Sequence, residues 1–554
     1  MMRLARLMLP VLLLGLAACG GREAPASQAV ATAHPLATEA ALEVLRDGGN
    51  AFDAAVTASA VLAVVEPYSS GMGGGGFWLL HRASDGHEVM IDGRETAPGE
   101  AHADMYVRED GSIDQAASRV GPLAAGIPGQ PAALVHLAEK YGRLSLERLL
   151  APAIELAREG FEADPRLIDR LERRGDVLSP VAAAIFMPDG ELPDKGQVLR
   201  QPALAETLEK IVAHGRDGFY TGEVAERLVE GVREAGGIWT LDDLAGYQVV
   251  EREPVVAEVM GMRVVSAAPP SSGGVTLVQT LNILDGLDLA ATDEAGRIHL
   301  TVEAMRRAYH DRARYLGDPD FVAMPLARLL SEDYAAGLRT SIHPERALPS
   351  VHLAPVAPDA VGGPSTTHFS IIDGEGNRVA ATLTINWPWG AGLMIEGTGI
   401  LLNNEMDDFT ARPGEPNAYG LVHSAANAIA PGKRMLSSMT PTFVEQGERL
   451  AILGTPGGGR IISMVLLGVL NFADGAEAEA IVSAPRYHHQ YLPDVIQHEP
   501  DTFSEALQAQ LREFGHELES VGRSYGDMHV ITRGSDGSLR AASDPRGIGR
   551  AVAE

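Results

Sequence analysis

Thr366 and Thr384 flank a short Gly-Glu-Gly turn, and the chemistry open to such a pair is hydroxyl attack on an acyl carbon. A threonine hydroxyl is a weak nucleophile unless a base stands beside it. One solution is for the threonine to become a chain terminus, so that its own α-amine takes the proton; that amine titrates at about 7.7–8.0. For Thr366 this requires cleavage of the Ser365–Thr366 bond. The preceding Val361-Gly362-Gly363-Pro364-Ser365 has loop composition, as an exposed or strained scissile segment needs. The same residues also fit an ordinary strand threonine, since threonine is common in strands.

The element that must position the pair is a β-hairpin. Thr366 to Ile372 and Arg378 to Asn386 are rich in Thr, Val, Ile and Phe around Gly374-Glu375-Gly376. With a three-residue loop, Asp373 faces Asn377 and Thr366 faces Thr384. Opposed Cβ atoms lie about 4.5–5.5 Å apart, and Asn386 becomes a diagonal neighbour. A two-residue turn would shift this register by one.

Upstream, Leu36 to Arg46 reads as a helix stopped by Gly48-Gly49. Ala51 to Val65 reads as a helix apolar nearly all round, hence buried. Gly71 to Gly76 carries a literal G-x-G-x-x-G, but it follows a helix and precedes a strand, the reverse of the dinucleotide order; a tight turn for close backbone packing is expected. Val89 to Gly93 is a strand running into a loop at Arg94, whose guanidinium can hold a carboxylate by two prongs or simply be solvated. Residues 130 to 345 read as largely helical, interrupted by a loop at Ala267 to Gly274. Residues 346 to 365 read as a mobile linker. Leu450 to Gly454 is a strand, and Thr455-Pro456-Gly457-Gly458-Gly459-Arg460 a loop opening a helix from about Ile461 to Leu470. No Gly-Lys-Ser/Thr follows, so it is not a P-loop, yet glycine amides at a helix start suit an oxyanion. Glu405, Asp407 and Asp408 crowd three carboxylates together without EF-hand spacing. His488-His489 does not read as a metal pair, because adjacent strand residues point apart.

The chain has 554 residues, 45% hydrophobic and 21% charged, which fits a soluble globular protein and by length alone three or four domains. A net charge of −29 argues against nucleic acid and offers no attraction to anionic membranes. An anionic substrate must be captured by a local cation against the overall field. The single cysteine, Cys19, excludes an intrachain disulfide and a Cys-based metal site. It follows a basic Met1 to Arg6 and an apolar Leu7 to Leu16 too short to span a bilayer. Leu16-Ala17-Ala18-Cys19 resembles a bacterial lipoprotein signal, implying removal of residues 1–18, lipidation of Cys19, a flexible tether over 19–33, and a periplasmic or cell-envelope location.

Thr366-Thr367-His368-Phe369-Ser370, Asn403 to Phe409, Arg434 to Met439 and Thr455 to Arg460, in that order, resemble the γ-glutamyltransferase (γ-glutamyltranspeptidase) family of N-terminal-nucleophile hydrolases. The resemblance implies an α/β (α+β) four-layer αββα sandwich built from two subunits of one self-cleaved precursor, a large one over 34–365 and a small one over 366–554. It implies a glutathione-type γ-glutamyl hydrolase and transferase. Thr366 would be the nucleophile with Thr384 beside it, and Gly457 and Gly458 the oxyanion donors. Arg94, Ser437 and Ser438 would hold the α-carboxylate, Glu405 and Asp408 the α-ammonium, with Asn386 a further substrate-binding residue and Tyr419 in a lid over Pro413 to Ser424. Expected partners are glutathione or other γ-glutamyl compounds, water, and amino acid or dipeptide acceptors; no cofactor or metal is implied. Two departures bear on specificity: Glu405 stands where some bacterial relatives have Gln, and Trp387-Pro388-Trp389 puts two tryptophans beside the pocket. The alternatives are a glutaryl-type (cephalosporin) acylase of the same family, and a surface binding lipoprotein that never matures.

Overall fold

The strands of the two main sheets, in chain order, are β1 (Ala29–Thr32), β2 (Gly75–Arg82), β3 (His87–Gly93), β4 (Val250–Arg252), β5 (Val255–Val259), β6 (Met262–Ser266), β7 (Thr367–Ile372), β8 (Arg378–Thr384), β9 (Thr442–Gln446), β10 (Arg449–Gly454), β11 (His529–Arg533), β12 (Leu539–Ser543) and β13 (Arg550–Ala553). One sheet runs β13-β1-β7-β8-β2-β3-β4 and the other β12-β11-β10-β9-β6-β5, every pairing antiparallel. This computed structural model describes residues 27–353, 366–412, 417 and 421–554.

β7 and β8 are buried at every position, on both faces. An antiparallel strand needs that only when a layer covers each side. One face meets β10 and β11 of the second sheet. The other meets α2 (Ala51–Val65), while α1 (Pro35–Arg46) packs against β1 and β13. α2 is buried over its whole length, and its start is fixed by a capping box between Asn50 and Asp53. Further helices include α3 (Pro165–Arg174), α4 (Gly273–Asp285), α5 (Glu294–Tyr315) and α6 (Arg460–Ala473). α4 and α6 cover the outer face of the second sheet through a separate apolar core. The result is the expected αββα sandwich, a single layered unit rather than three or four domains.

The hairpin has the predicted register. Leu383 pairs with Thr367, which sets Thr384 across from Thr366. Asp373 N–H donates to Asn377 O at 3.1 Å, and Asp373 Oδ1 accepts from Glu375 N (2.9 Å) and Asn377 N (3.0 Å), so the three-residue loop is locked from inside. The glycine run after α2 is the tight turn anticipated: a Cβ on Gly74 would strike the Thr384 carbonyl, which is how β2 comes to lie against β8.

The helical reading of residues 130 to 345 missed β4, β5 and β6. β5 and β6 form a hairpin through Met260 (φ 52) and Gly261 (φ 71). Two positive φ values are the two-residue turn that matches strand twist. Among the described residues no helix is long and apolar enough to cross a membrane. The lipoprotein signal with Cys19, residues 354–365 of the linker including Ser365, and Tyr419 lie outside the described residues. The expected tether over 19–33 ends earlier than read, because Ala29–Thr32 are β1, buried and paired on both sides.

Candidate active site

Thr366, Thr384 and Gly93 come to the same end of the first sheet, because β7, β8, β2 and β3 alternate in direction. Thr366 Oγ1 lies 3.5 Å from Thr384 Oγ1. Thr384 Oγ1 also accepts from Asn386 N at 2.7 Å, which fixes its hydroxyl at the strand end. Asn386 sits at φ 72, a left-handed conformation that asparagine tolerates, and its Nδ2 donates to Asn404 O at 2.9 Å. Arg94 leaves β3 where Asp92 turns it: Arg94 N donates to Asp92 Oδ1 at 3.0 Å, while Arg252 and Arg434 neutralise the buried Asp92.

The pocket is lined by Arg94, Arg312, Thr366, Thr384, Asn386, Glu405, Asp408, Ser437, Ser438, Gly458 and Gly459, with Leu421, Leu436, Met439 and Ile461 as its apolar wall. Residues predicted for opposite ends of a zwitterion, Arg94 for carboxylate and Glu405 and Asp408 for ammonium, here contact one another. Arg94 Nη1 is 2.6 Å from Glu405 Oε2, and Arg94 Nη2 is 2.7 Å from Asp408 Oδ2. The Glu405 contact is close enough for an ion pair but misaligned for a hydrogen bond, and both Glu405 oxygens lack a hydrogen-bond partner. Glu95, also orphaned, lies 3.6 Å from Arg94. Burial pushes Glu405 well above the usual carboxylate range and Glu95 up to about 8, with Arg94 pulling both down. Burial raises Asp408 as well, against Arg94. One guanidinium thus serves three buried carboxyls, a surplus of acceptors suited to an incoming ammonium.

Arg312 of α5 was not singled out from the sequence. It reads there as one more arginine in a helical run, yet its guanidinium lines the pocket and forms no ion pair among the described residues. It donates to Ser272 Oγ (2.8 Å), Ser438 Oγ (3.0 Å) and His423 Nε2 (2.9 Å). Burial lowers it to about 10 and holds His423 neutral. Ser437 Oγ accepts from Met439 N at 3.1 Å. Each serine oxygen therefore takes a proton from the protein and keeps its own O–H to give. A hydroxyl pair free to donate beside Arg94 and Arg312 is chemically suited to an anion.

The loop after β10 turns at Gly458 (φ 57) into α6. Gly458 and Gly459 line the pocket, whereas Gly457 stands one residue behind it. Within the segment expected to form a lid, Asn417 Nδ2 donates to Asp408 Oδ1 at 3.1 Å and Leu421 lines the pocket. Of the two tryptophans placed beside the pocket by sequence, Trp389 instead turns into the core against Tyr68 and Phe186. Trp387 stays half-buried, with Arg119 and Arg174 over its ring at 5.5 and 4.7 Å. His488 and His489 diverge as expected, to Ser463 (2.7 Å) and Asp494 (3.2 Å). Among the described residues, His299, Glu303 and His516 gather closely enough to surround one ion. Glu303, however, is taken by Arg306 and Arg307, and the two histidines bond to each other at 2.8 Å.

The sequence profile of the family described as Gamma-glutamyltranspeptidase matches residues 37–554. The chain is 45% identical over 496 residues to a "Glutathione hydrolase proenzyme" of Pseudomonas sp. (strain A14), covering 88% of this chain and 86% of that one. It is 41% identical over 526 residues to a protein of the same description from Escherichia coli (strain K12), covering 94% and 90%. Among solved structures, a cephalosporin acylase from Bacillus halodurans superposes with a TM-score of 0.84 at 28% identity, over 98% of this chain and 99% of that one. Helicobacter pylori gamma-glutamyltranspeptidase superposes with a TM-score of 0.57 at 39% identity, over 58% and 93%.

Proposed function

Because the chain belongs to the gamma-glutamyltranspeptidase family, we propose that it is a glutathione-type γ-glutamyl hydrolase and transferase that opens its own chain before Thr366. The observation that carries this is the placement of Thr366 against Thr384 at the rim of a pocket offering both an anion site and surplus carboxyls. The freed α-amine of Thr366 takes the Oγ1 proton as Oγ1 attacks the γ-carbonyl carbon. The tetrahedral oxyanion is met by amides of the Gly457–Gly458 loop, the C–N bond breaks, and the proton passes to the leaving amine. Water, or an amino acid or peptide amine, then attacks the γ-glutamyl ester and restores Thr366. Arg94 with Ser437 and Ser438 receives the α-carboxylate, and Glu405 and Asp408 exchange Arg94 for the α-ammonium.

Wild-type protein is expected to resolve into a large and a small subunit, the smaller beginning at Thr366 by N-terminal sequencing. Thr366→Ala should stay one chain and lose turnover by on the order of 10⁴ or more. Hydrolysis by protein whose 365–366 junction is still closed would overturn the reading. Protein that stays intact and inactive favours a binding lipoprotein. The likeness to a cephalosporin acylase keeps a second reading in view, a glutaryl-amide hydrolase. A glutaryl head has no ammonium and would leave Glu405 and Asp408 without a counter-charge, so γ-glutamyl anilide should turn over faster than glutaryl anilide. We further propose export, lipidation at Cys19 and anchoring at the cell envelope; Cys19→Ala should release the protein from the membrane fraction.

A further inference from the structure

Behind Glu66 and Tyr68, which pack against the nucleophile strand, lies a row of arginines that the γ-glutamyl reaction does not use. Along the sheet, one side of Thr366 runs through β8 and β2 to β3 and Arg94. The other side is β1, which leads to His34; His34 Nε2 lies 3.8 Å from Asp164, the N-cap of α3. α3 therefore starts beyond β1, on the side of the nucleophile away from β3, and runs from there toward Trp387. Its Arg166, Arg170 and Arg174 are spaced by four residues, so they share one face and span about 12 Å of helix.

Both ends of that row are tied to the catalytic loops. Arg166 pairs with Asp527, whose N–H donates to Thr455 Oγ1 (3.1 Å) at the start of the Gly457–Gly459 loop. Arg174 lies over Trp387, next to Asn386, and reaches Gly390 O and Arg119 O at 3.4 Å each. Trp389 Nε1 donates to Arg170 O at 3.1 Å and clamps the helix to the same turn. Between the row and the nucleophile stands Glu66, which accepts from Thr367 Oγ1 (2.8 Å) and Tyr68 O–H (3.1 Å). Arg166 and Arg119 are neutralised by Asp527 and Asp407. Arg170 forms no ion pair among the described residues, and its Nε is buried without a hydrogen-bond partner. Burial, and then Arg166, lower the Arg170 guanidinium below its ordinary value. A protein with a net charge of −29 has thus kept a desolvated cation, one layer behind Glu66 and Tyr68 from its nucleophile strand, without an ion-pair partner among the described residues.

We propose that Arg170, supported by Arg174 and the Trp387 face, forms the subsite for the leaving and accepting amines and selects those carrying a carboxylate. The proposal rests on the γ-glutamyl reading. With the head group held at Arg94, a dipeptide amine extends its carboxylate about 7 Å past the scissile nitrogen, away from that pocket. A planar guanidinium beside an indole suits such a group, by two-pronged pairing and by stacking of the peptide unit. Water carries no carboxylate and gains nothing there, so the subsite biases the γ-glutamyl ester toward anionic acceptors.

The test compares γ-glutamyl-3-carboxy-4-nitroanilide with γ-glutamyl-4-nitroanilide, and glycylglycine with glycylglycinamide as acceptors, in the matured enzyme. Wild type should prefer the carboxylated member of each pair in kcat/KM. Arg170→Gln should lower that preference ratio roughly tenfold, through KM, as loss of one charge-assisted contact of about 1.4 kcal/mol predicts. Arg170→Lys should keep most of it. A ratio unchanged in Arg170→Gln overturns the proposal, whether both substrates are retained or both fall together. Wild type inactive on every γ-glutamyl anilide would instead defeat the underlying functional reading.

Discussion

The cluster around Glu303 and the cluster around Arg94 are built from the same ingredients, buried carboxylates and buried arginines, but they differ in what is left over. Glu303 accepts from Arg306 (3.1 Å), from Arg307 (2.8 Å) and from Leu348 N (3.3 Å). Its neighbours His299 and His516 are committed as well, since His299 Nε2 gives its proton to His343 O (2.8 Å) and so Nδ1 accepts from His516. Around Arg94, by contrast, both oxygens of Glu95 and both of Glu405 lack hydrogen bonds. Buried polar groups without partners each cost about 1–3 kcal/mol. A structural network removes that cost within itself, whereas a binding network leaves it for the ligand to remove. The distinction is a better guide to function than burial or pKa displacement, which the two clusters share.

Four substitutions can break or sharpen this contrast. The largest effect is expected from Glu303→Ala, which strands the buried Arg307 guanidinium and leaves Arg306 only Asp494, and should cost about 3–5 kcal/mol of stability. Denaturant unfolding would measure it, and KM for γ-glutamyl anilide should stay at the wild-type value. Arg94→Met should do the reverse. Its carboxyls are already pushed toward the neutral form, so the fold should hold while KM rises on the order of 10²-fold in steady-state assays. Arg312→Met, which frees Ser438 to turn its O–H away, should raise KM about tenfold, with calorimetric titration of glutamate showing the same loss. The smallest effect concerns pH. Glu95 is raised in the folded state to about 8, so its contribution to stability is complete below the unfolded carboxyl range and is lost as pH climbs through about 8. The melting temperature should decline over that window, and Glu95→Gln should flatten the decline.

Much of this site is legible in the sequence, and the reasons are local. The Thr366–Thr384 pairing follows from counting outward from Gly374-Glu375-Gly376, since a strand period of two leaves no freedom once the turn is known. The glycine run before β2 declared close backbone contact by composition. Arg312 was not legible: its position on a buried helix face depends on which partners α5 meets, and those come from Ser272 and Ser438, far away in sequence. The mutual pairing of Arg94 with Glu405 and Asp408 was missed because ligand-assigned roles say nothing of how the groups rest without ligand. β5 and β6 were overlooked for a different reason: Met260-Gly261 is an uncommon composition for the two-residue turn that joins them.

The strand order has one more consequence. Were the backbone opened between Ser365 and Thr366, β1 would belong to one polypeptide while both of its neighbours, β7 and β13, belonged to the other. The seams β8–β2 and β9–β6 would likewise join separate chains. Four interleaved ladders would then hold two molecules that had been assembled as one. Nicking would leave the shape intact but remove the tether that brought those strands into register. Thermal unfolding of the nicked protein should therefore be a one-way event, with the uncut form alone retaining the memory needed to renature.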